Sequence, residues 1–375
     1  MHETWQTLSQ RGLLLGGLPF LATALLIFIL KPVAVRLGLV DHPLSARKTH
    51  ADPTPLVGGA AITFAALIAG AVLLPETRDL VALAAATLLL LAVGEFDDRY
   101  DVSWRTRIVA QAAAALILYL WGGVRVESIG NALGVEGHTL GVLSLPFTVL
   151  ATVGITNAIN WADGVDGLAG SLSLATILML VAASVYAGNA ALATDLMLMA
   201  GCVMGFLAFN LRTPWRPRAT VFLGCGAEIL GLWIAWASFR LTQSPLHPVT
   251  PVLAPFLIAP PVVDCLALIV RRLRARRSPF SADRDHMHHR LTDLGLSPTA
   301  IVALLVAITL VVGFCAALAR RAHVPEPVFP AIYLSATFAY FFFTRRALRK
   351  TVRAEAPRAI AEPAPVRVRA KRTQA

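Results

Sequence analysis

Eleven apolar runs fall at 13–30, 57–74, 80–94, 108–121, 140–158, 168–187, 192–211, 221–241, 249–270, 300–318 and 328–343. No other feature restricts the fold as much. A bilayer core needs ~20 apolar residues of helix, and a lone spanning segment satisfies its own backbone only as a helix. The runs predict an all-α, polytopic membrane protein with about eleven transmembrane helices. Those at 80–94 and 108–121 fall short of a span and must borrow flanking residues. Composition agrees: 57% of the 375 residues are hydrophobic and 15% charged, with a mean hydropathy of +0.67. That excludes a soluble domain. The first run is long enough to span and has no clear small-residue cleavage site, so no removable signal peptide is expected. The four cysteines lie in or beside apolar runs without a Cys-x-x-Cys pair. They read as small buried hydrophobes.

The net charge of +11 is distributed unevenly. With the N-terminus outside and alternating spans, 27 of the 33 Lys and Arg fall on inner loops and the tail, against 6 on the outer side. The positive-inside rule then places the C-terminus in the cytoplasm. Residues 1–343 are expected to form the integral domain. The Arg-, Ala- and Pro-rich stretch 344–375 is expected to be a disordered basic tail beside anionic lipid. No nucleic-acid partner is expected.

All the polar motifs fall on that inner face. Asn157-Ala-Ile-Asn160-Trp-Ala-Asp163-Gly164-Val-Asp166-Gly-Leu-Ala-Gly170 separates two long apolar runs. A plain turn between helices needs Asx and Gly, but not two Asn and two Asp together. Carboxylates and amides suit a hard cation such as Mg²⁺, or a nucleotide. The third run ends in Glu95, Asp97, Asp98 and Asp101. Four carboxylates at a helix C-terminus oppose the helix dipole, and the adjacent pair repels unless a cation or Arg99 compensates. Arg105, Arg107 and Gln111 follow on the next helix. Glu228 lies near the start of the eighth run, and an intramembrane carboxylate is a functional-site hypothesis by default. Arg47, Lys48 and His50 in the first inner loop could meet a phosphate, or belong to an ordinary positive-inside loop. The large inner loop carries Ser278-Pro279-Phe280-Ser281, Asp283, Arg284, His286, His288 and His289. Three His in four residues could bind zinc or a polyphosphate. Zinc needs a fourth ligand, and the surrounding Arg favour phosphate.

Together these stretches resemble the polyprenyl-phosphate N-acetylhexosamine-1-phosphate transferases. These are the bacterial enzymes that start O-antigen, enterobacterial common antigen and teichoic acid linkage units, and are relatives of the phospho-MurNAc-pentapeptide translocase. The matching segments are 41–59, 94–111, 157–170, 205–231 and 278–295, nearly the whole chain. The resemblance implies a cytoplasmic-face active site in the bacterial inner membrane. It implies transfer of a sugar-1-phosphate from a UDP-N-acetylhexosamine, by default UDP-GlcNAc, to undecaprenyl phosphate with release of UMP. It also implies Mg²⁺, or Mn²⁺, as cofactor, and leaves room for a homodimer. Carried over by position, Asp97, Asp98 and Asp163 would be catalytic. Asn157, Asn160, Gly164, Asp166, Lys48, Arg284, His286, His288 and His289 would bind substrate, with Asp166 and Gly164 towards the uridine. Asp98, Asp163 and Glu228 would hold the metal.

One motif departs from the family pattern. The family usually reads Phe-Met-Gly-Asp-x-Gly-Ser, with that Asp a metal ligand. This chain reads Phe222-Leu223-Gly224-Cys225-Gly226-Ala227-Glu228. Two expectations follow. Glu228 takes over part of the missing role, or it pairs with an Arg of the 212–218 loop. A degenerate member that binds lipid phosphate, UDP-sugar or a partner enzyme without turnover is the alternative function. A transporter would concentrate polar residues at mid-membrane between repeats, and no repeat is evident.

Overall fold

The computed structural model describes residues 11–41, 53–135, 137, 139–244, 249–280 and 285–355. Every apolar run coincides with a helical segment. These are α1 (Leu13–Leu37), α2 (Gly58–Leu73), α3 (Arg78–Tyr100) and α4 (Trp104–Leu116), which runs on through a π-helical turn, Ile117–Trp121. Next come α5 (Gly141–Ala162), α6 (Leu168–Tyr186), α7 (Ala190–Asn210) and α8 (Gly226–Thr242). A short segment, Pro251–Leu257, meets α9 (Ala259–Arg274) at a bend of 86°. The chain ends with α10 (Met287–Asp293), α11 (Pro298–Arg321) and α12 (Val328–Glu355).

The expected count of eleven spans is not reached on length and composition. Among the described residues six helices are long and apolar enough, namely α1, α3, α5, α6, α7 and α11, or seven if the bent pair is one span. The shortfall has physical causes. Helix α4 opens on Arg105 and Arg107, and α2 has 16 residues. Helix α8 has 17, but every residue except Arg240 and Thr242 is buried. A helix surrounded by protein does not have to match the lipid thickness. Helix α12 continues to Glu355.

Helix α8 is the centre of the bundle, packed against α5, α6, α3 and α2. Its entry is stapled by backbone bonds. Val40–Asp41 (β1) pairs antiparallel with Thr54–Pro55 (β2), and Leu56 bridges Phe222 in parallel. The amides of Gly58 and Gly59 donate to the carbonyls of Phe222 and Leu223 at 3.0 and 2.9 Å. The pair that opens α2 is glycine because a Cβ on Gly59 would stand 2.6 Å from the Gly226 nitrogen. A Cβ on Gly94 would collide with that of Cys225. The 222–226 loop is thereby wedged between the start of α2 and the last turns of α3.

Candidate active site

The wedge sets the first half of the site. The Cys225 amide donates to Asp98 Oδ2 at 3.0 Å, and Cys225 Sγ lies 3.6 Å from Glu95 Oε1. Asp97 turns the other way. Its Oδ1 accepts from the Val102 amide at 2.9 Å and its Oδ2 meets Arg107 Nη1 at 3.3 Å. The carboxylate pair is therefore compensated by a backbone amide and Arg107. Arg99, expected in that role, reaches the Gly38 carbonyl instead, at 3.2 Å.

The 157–170 stretch forms the end of α5, a tight turn and the start of α6. Asn157 is buried, and its amide donates to Gln111 Oε1 at 2.5 Å and to the Val153 carbonyl at 2.8 Å. It links α5 to α4 rather than presenting that amide to the cleft. Asn160 Nδ2 approaches Glu228 Oε1 at 3.4 Å. Glu228 is buried and also lies within electrostatic reach of Arg107, Asp97 and Asp98. The pairing with an Arg of the 212–218 loop is not found. Arg212 instead meets Asp166 Oδ2 at 2.8 Å, and Arg216 donates to the carbonyls of Ala208 and Leu211. Asp166 Oδ2 accepts from the Ala219 amide as well, at 3.2 Å.

Asp163 differs from Asp166. Among the described residues no donor bonds to its carboxylate. Desolvation by the protein packed round it, then the charges of Asp166 and Asp98, push its pKa up to about 7.

The histidine loop closes the other side. Gly164 is pressed so close to His288 that a Cβ there would strike the imidazole Nε2. His288 is 4% exposed, and that Nε2 has no hydrogen-bond partner among the described residues. Burial, and then the His289 and His286 charges, bring its pKa down to about 3, so it stays neutral. His286 stacks on His288 with ring centroids 5.5 Å apart, and His289 leans on it at 4.3 Å. Lys48 and Arg284 lie outside the described residues.

Four functional features escaped the sequence reading. Asn210 accepts from the Gly167 amide at 2.7 Å and donates to the Val221 carbonyl at 2.9 Å, tying the Asp163–Gly167 turn to the α8 entry. Asp264 holds the histidine loop: it lies 3.4 Å from His286 Nδ1 and accepts from the Met287 amide and the Tyr340 hydroxyl. A carboxylate inside an apolar run was its signal, the same one that picked out Glu228. Arg271 donates to the Asp285 carbonyl at 3.3 Å, and its buried Nε and Nη1 have no partner among the described residues. Phe280 stacks on Trp104 at 4.4 Å and meets Trp161 edge-on. Phe280 too had a local cue, the aromatic residue inside the loop motif.

Among the described residues no three His, Cys, Asp or Glu side chains converge on one point as a preformed metal cage. Asp98 of α3 instead lies within electrostatic reach of both Asp163, at the end of α5, and Glu228 of α8.

The central part of the chain, residues 80–242, matches glycosyl transferase family 4. Three curated relatives carry the name undecaprenyl-phosphate alpha-N-acetylglucosaminyl 1-phosphate transferase. The protein of Escherichia coli (strain K12) is 32% identical over 88% of this chain and 89% of its own. That of Yersinia pestis is 34% identical over 88% and 90%. That of Haemophilus influenzae is 32% identical over 79% and 83%. The chain belongs to glycosyl transferase family 4, among the polyprenyl-phosphate N-acetylhexosamine-1-phosphate transferases that its motifs resemble.

Proposed function

We propose that this protein transfers GlcNAc-1-phosphate from UDP-GlcNAc to undecaprenyl phosphate at the cytoplasmic face of a bacterial inner membrane. One observation carries the reading: Asp163 lies within electrostatic reach of Asp98, and the histidine loop packs His288 against the adjoining Gly164. The names of the relatives supply the substrate classes. The 27-to-6 charge split favours an external N-terminus and a cytoplasmic C-terminus. The non-catalytic alternative has no supporting observation and is set aside.

In the reaction a lipid-phosphate oxygen bonds to the sugar-bearing phosphorus. The bridging bond from that phosphorus to the uridylyl phosphate breaks, and UMP leaves with the electron pair. Phosphoryl transfer of this kind is mainly positioning and charge neutralisation. Neutral His288 can offer its unpartnered Nε2–H to a diphosphate oxygen without a proton being exchanged. The free Arg271 nitrogens supply positive charge on the same wall. Asp98, anchored by the Cys225 amide, can orient the lipid phosphate. Phe280, Trp104 and Trp161 give the loop an apolar floor.

Mg²⁺ fits the donor set. It takes hard oxygen ligands and usually binds through one or two carboxylates plus substrate phosphates and water, without an all-protein cage. Asp98 and Asp163 would hold it, with Glu228 close by. When bound it would neutralise charge on the transferring phosphoryl group.

The test is UMP release from UDP-GlcNAc by the full-length protein in detergent, with undecaprenyl phosphate and Mg²⁺. Turnover that needs both substrates and stops with EDTA is expected. No turnover with any UDP-N-acetylhexosamine would sink the assignment.

A further inference from the structure

The end of the bundle away from Asp98 contains a cavity that the transferase reading does not use. It has a volume of about 350 Å³ and lies between α2, α3, α7 and α8. That is at the lower end of the ~300–1,000 Å³ typical of small-molecule sites. Thr87 of α3 lines it, and Asp98 lies eleven residues further along the same helix, ~16 Å at 1.5 Å per residue. Trp233 lines the cavity as well, its indole N–H donating to Thr87 Oγ1 at 3.0 Å. The walls are mostly apolar, Leu80 among them, with exposed Glu76 at the mouth.

Two polar groups in this cavity lack partners. Asp195 is 4% exposed, and among the described residues no donor or cation meets its carboxylate. Thr63 Oγ1 is fully buried and also unpartnered. An unpaired carboxylate inside a membrane bundle is costly and marks a binding function by default. We propose that the cavity binds a primary ammonium carried on an apolar body. An ammonium has three donors and no acceptor, which suits a carboxylate and a hydroxyl lining the same space. The apolar walls take the hydrocarbon, and Glu76 adds negative charge at the entrance. A hard metal ion is a poor match, because it needs about six oxygen ligands. The ammonium could belong to a phosphatidylethanolamine headgroup or to a free amphiphilic amine.

Thermal unfolding of the full-length protein in detergent tests this, with octylammonium as probe and octanol as its uncharged match. Octylammonium should raise the midpoint by ~2 °C or more, as binding to the native state does, and octanol should not. Asp195→Asn should abolish the shift. Ala84→Leu, which fills the cavity and leaves the carboxylate in place, should abolish it too. An equal shift with octanol, or a shift that survives both variants, overturns the proposal. Native mass spectra from phosphatidylethanolamine and phosphatidylcholine discs separate the sources. Selective retention of phosphatidylethanolamine by wild type, lost in Asp195→Asn, identifies the lipid. Equal retention of both lipids beside an intact octylammonium shift identifies a free amine.

Discussion

Asp163 and Asp166 stand three residues apart in one motif, yet the fold uses them in opposite ways. Asp166 is tethered to Arg212 and to the Ala219 amide. Asp163 has no tether among the described residues. The α3 terminus repeats the division. Asp97 is tied to Arg107 and the Val102 amide, while Asp98 is anchored by one backbone amide and faces Asp163. Each motif thus holds one carboxylate paired with an arginine and one that no cation meets among the described residues. Composition alone makes the four look equivalent. A buried ion pair fixes geometry but leaves little free charge for a phosphate or metal.

The largest expected effects separate the two kinds. Asp98→Asn and Asp163→Asn should each lower kcat by ~10²-fold or more, with thermal stability nearly unchanged. Steady-state UMP release and a melting curve read both quantities. Should either variant keep near wild-type kcat in saturating Mg²⁺, the open carboxylates are not the working ones.

The tethered residues should behave differently. Asp166→Asn and Asp97→Asn should lose ~10-fold in activity and also melt earlier, because each leaves a half-buried arginine short of its partner. Arg212→Met should reproduce Asp166→Asn, and the double variant should cost little more than either single one. Additive losses would show that Asp166 acts beyond its bond to Arg212.

A smaller effect comes from protonation. The Asp163 pKa is raised to about 7. The uncharged form is therefore favoured, and protons compete with a cation below that pH but not above it. The Mg²⁺ concentration for half-maximal rate should rise as pH falls from about 8 to about 6, approaching ~tenfold per unit on the acid side. His288 shifts the opposite way, to about 3, and adds no titration in this range. A flat Mg²⁺ requirement across the window would remove Asp163 from the metal site.

The helices were legible because hydropathy is a local property, and each apolar run became a helical segment. Gly58 and Gly59 were legible as the start of α2, and the 157–170 stretch as a turn at a helix end. The division of labour was not. Arg212 lies 46 residues from Asp166, and Asn210 lies 43 from Gly167. No local pattern encodes such pairings. Arg99, adjacent in sequence to the carboxylate pair, was the natural partner on local reasoning. The α3 helix points it at Gly38 instead, and Arg107 arrives from the next helix. Asp264 was readable by the rule applied to Glu228, as a carboxylate inside an apolar run.

The smallest effects concern the departure at 222–228. Cys225 contributes its backbone amide to Asp98, and its side chain fills the space over Gly94. Cys225→Ser keeps the amide and nearly the volume, so turnover should stay within ~2-fold, as for other near-isosteric changes. Glu228 is the sharper case. Its Oε1 accepts from Asn160, and it also lies within reach of Asp98. Glutamine keeps an acceptor for Asn160 and removes only the charge. If the charge helps hold Mg²⁺, Glu228→Gln should raise the Mg²⁺ needed for half-maximal rate several-fold while kcat at saturation falls little. An unchanged Mg²⁺ requirement would assign Glu228 to the Asn160 bond alone, and would leave Asp98 and Asp163 as the only protein ligands of the cation.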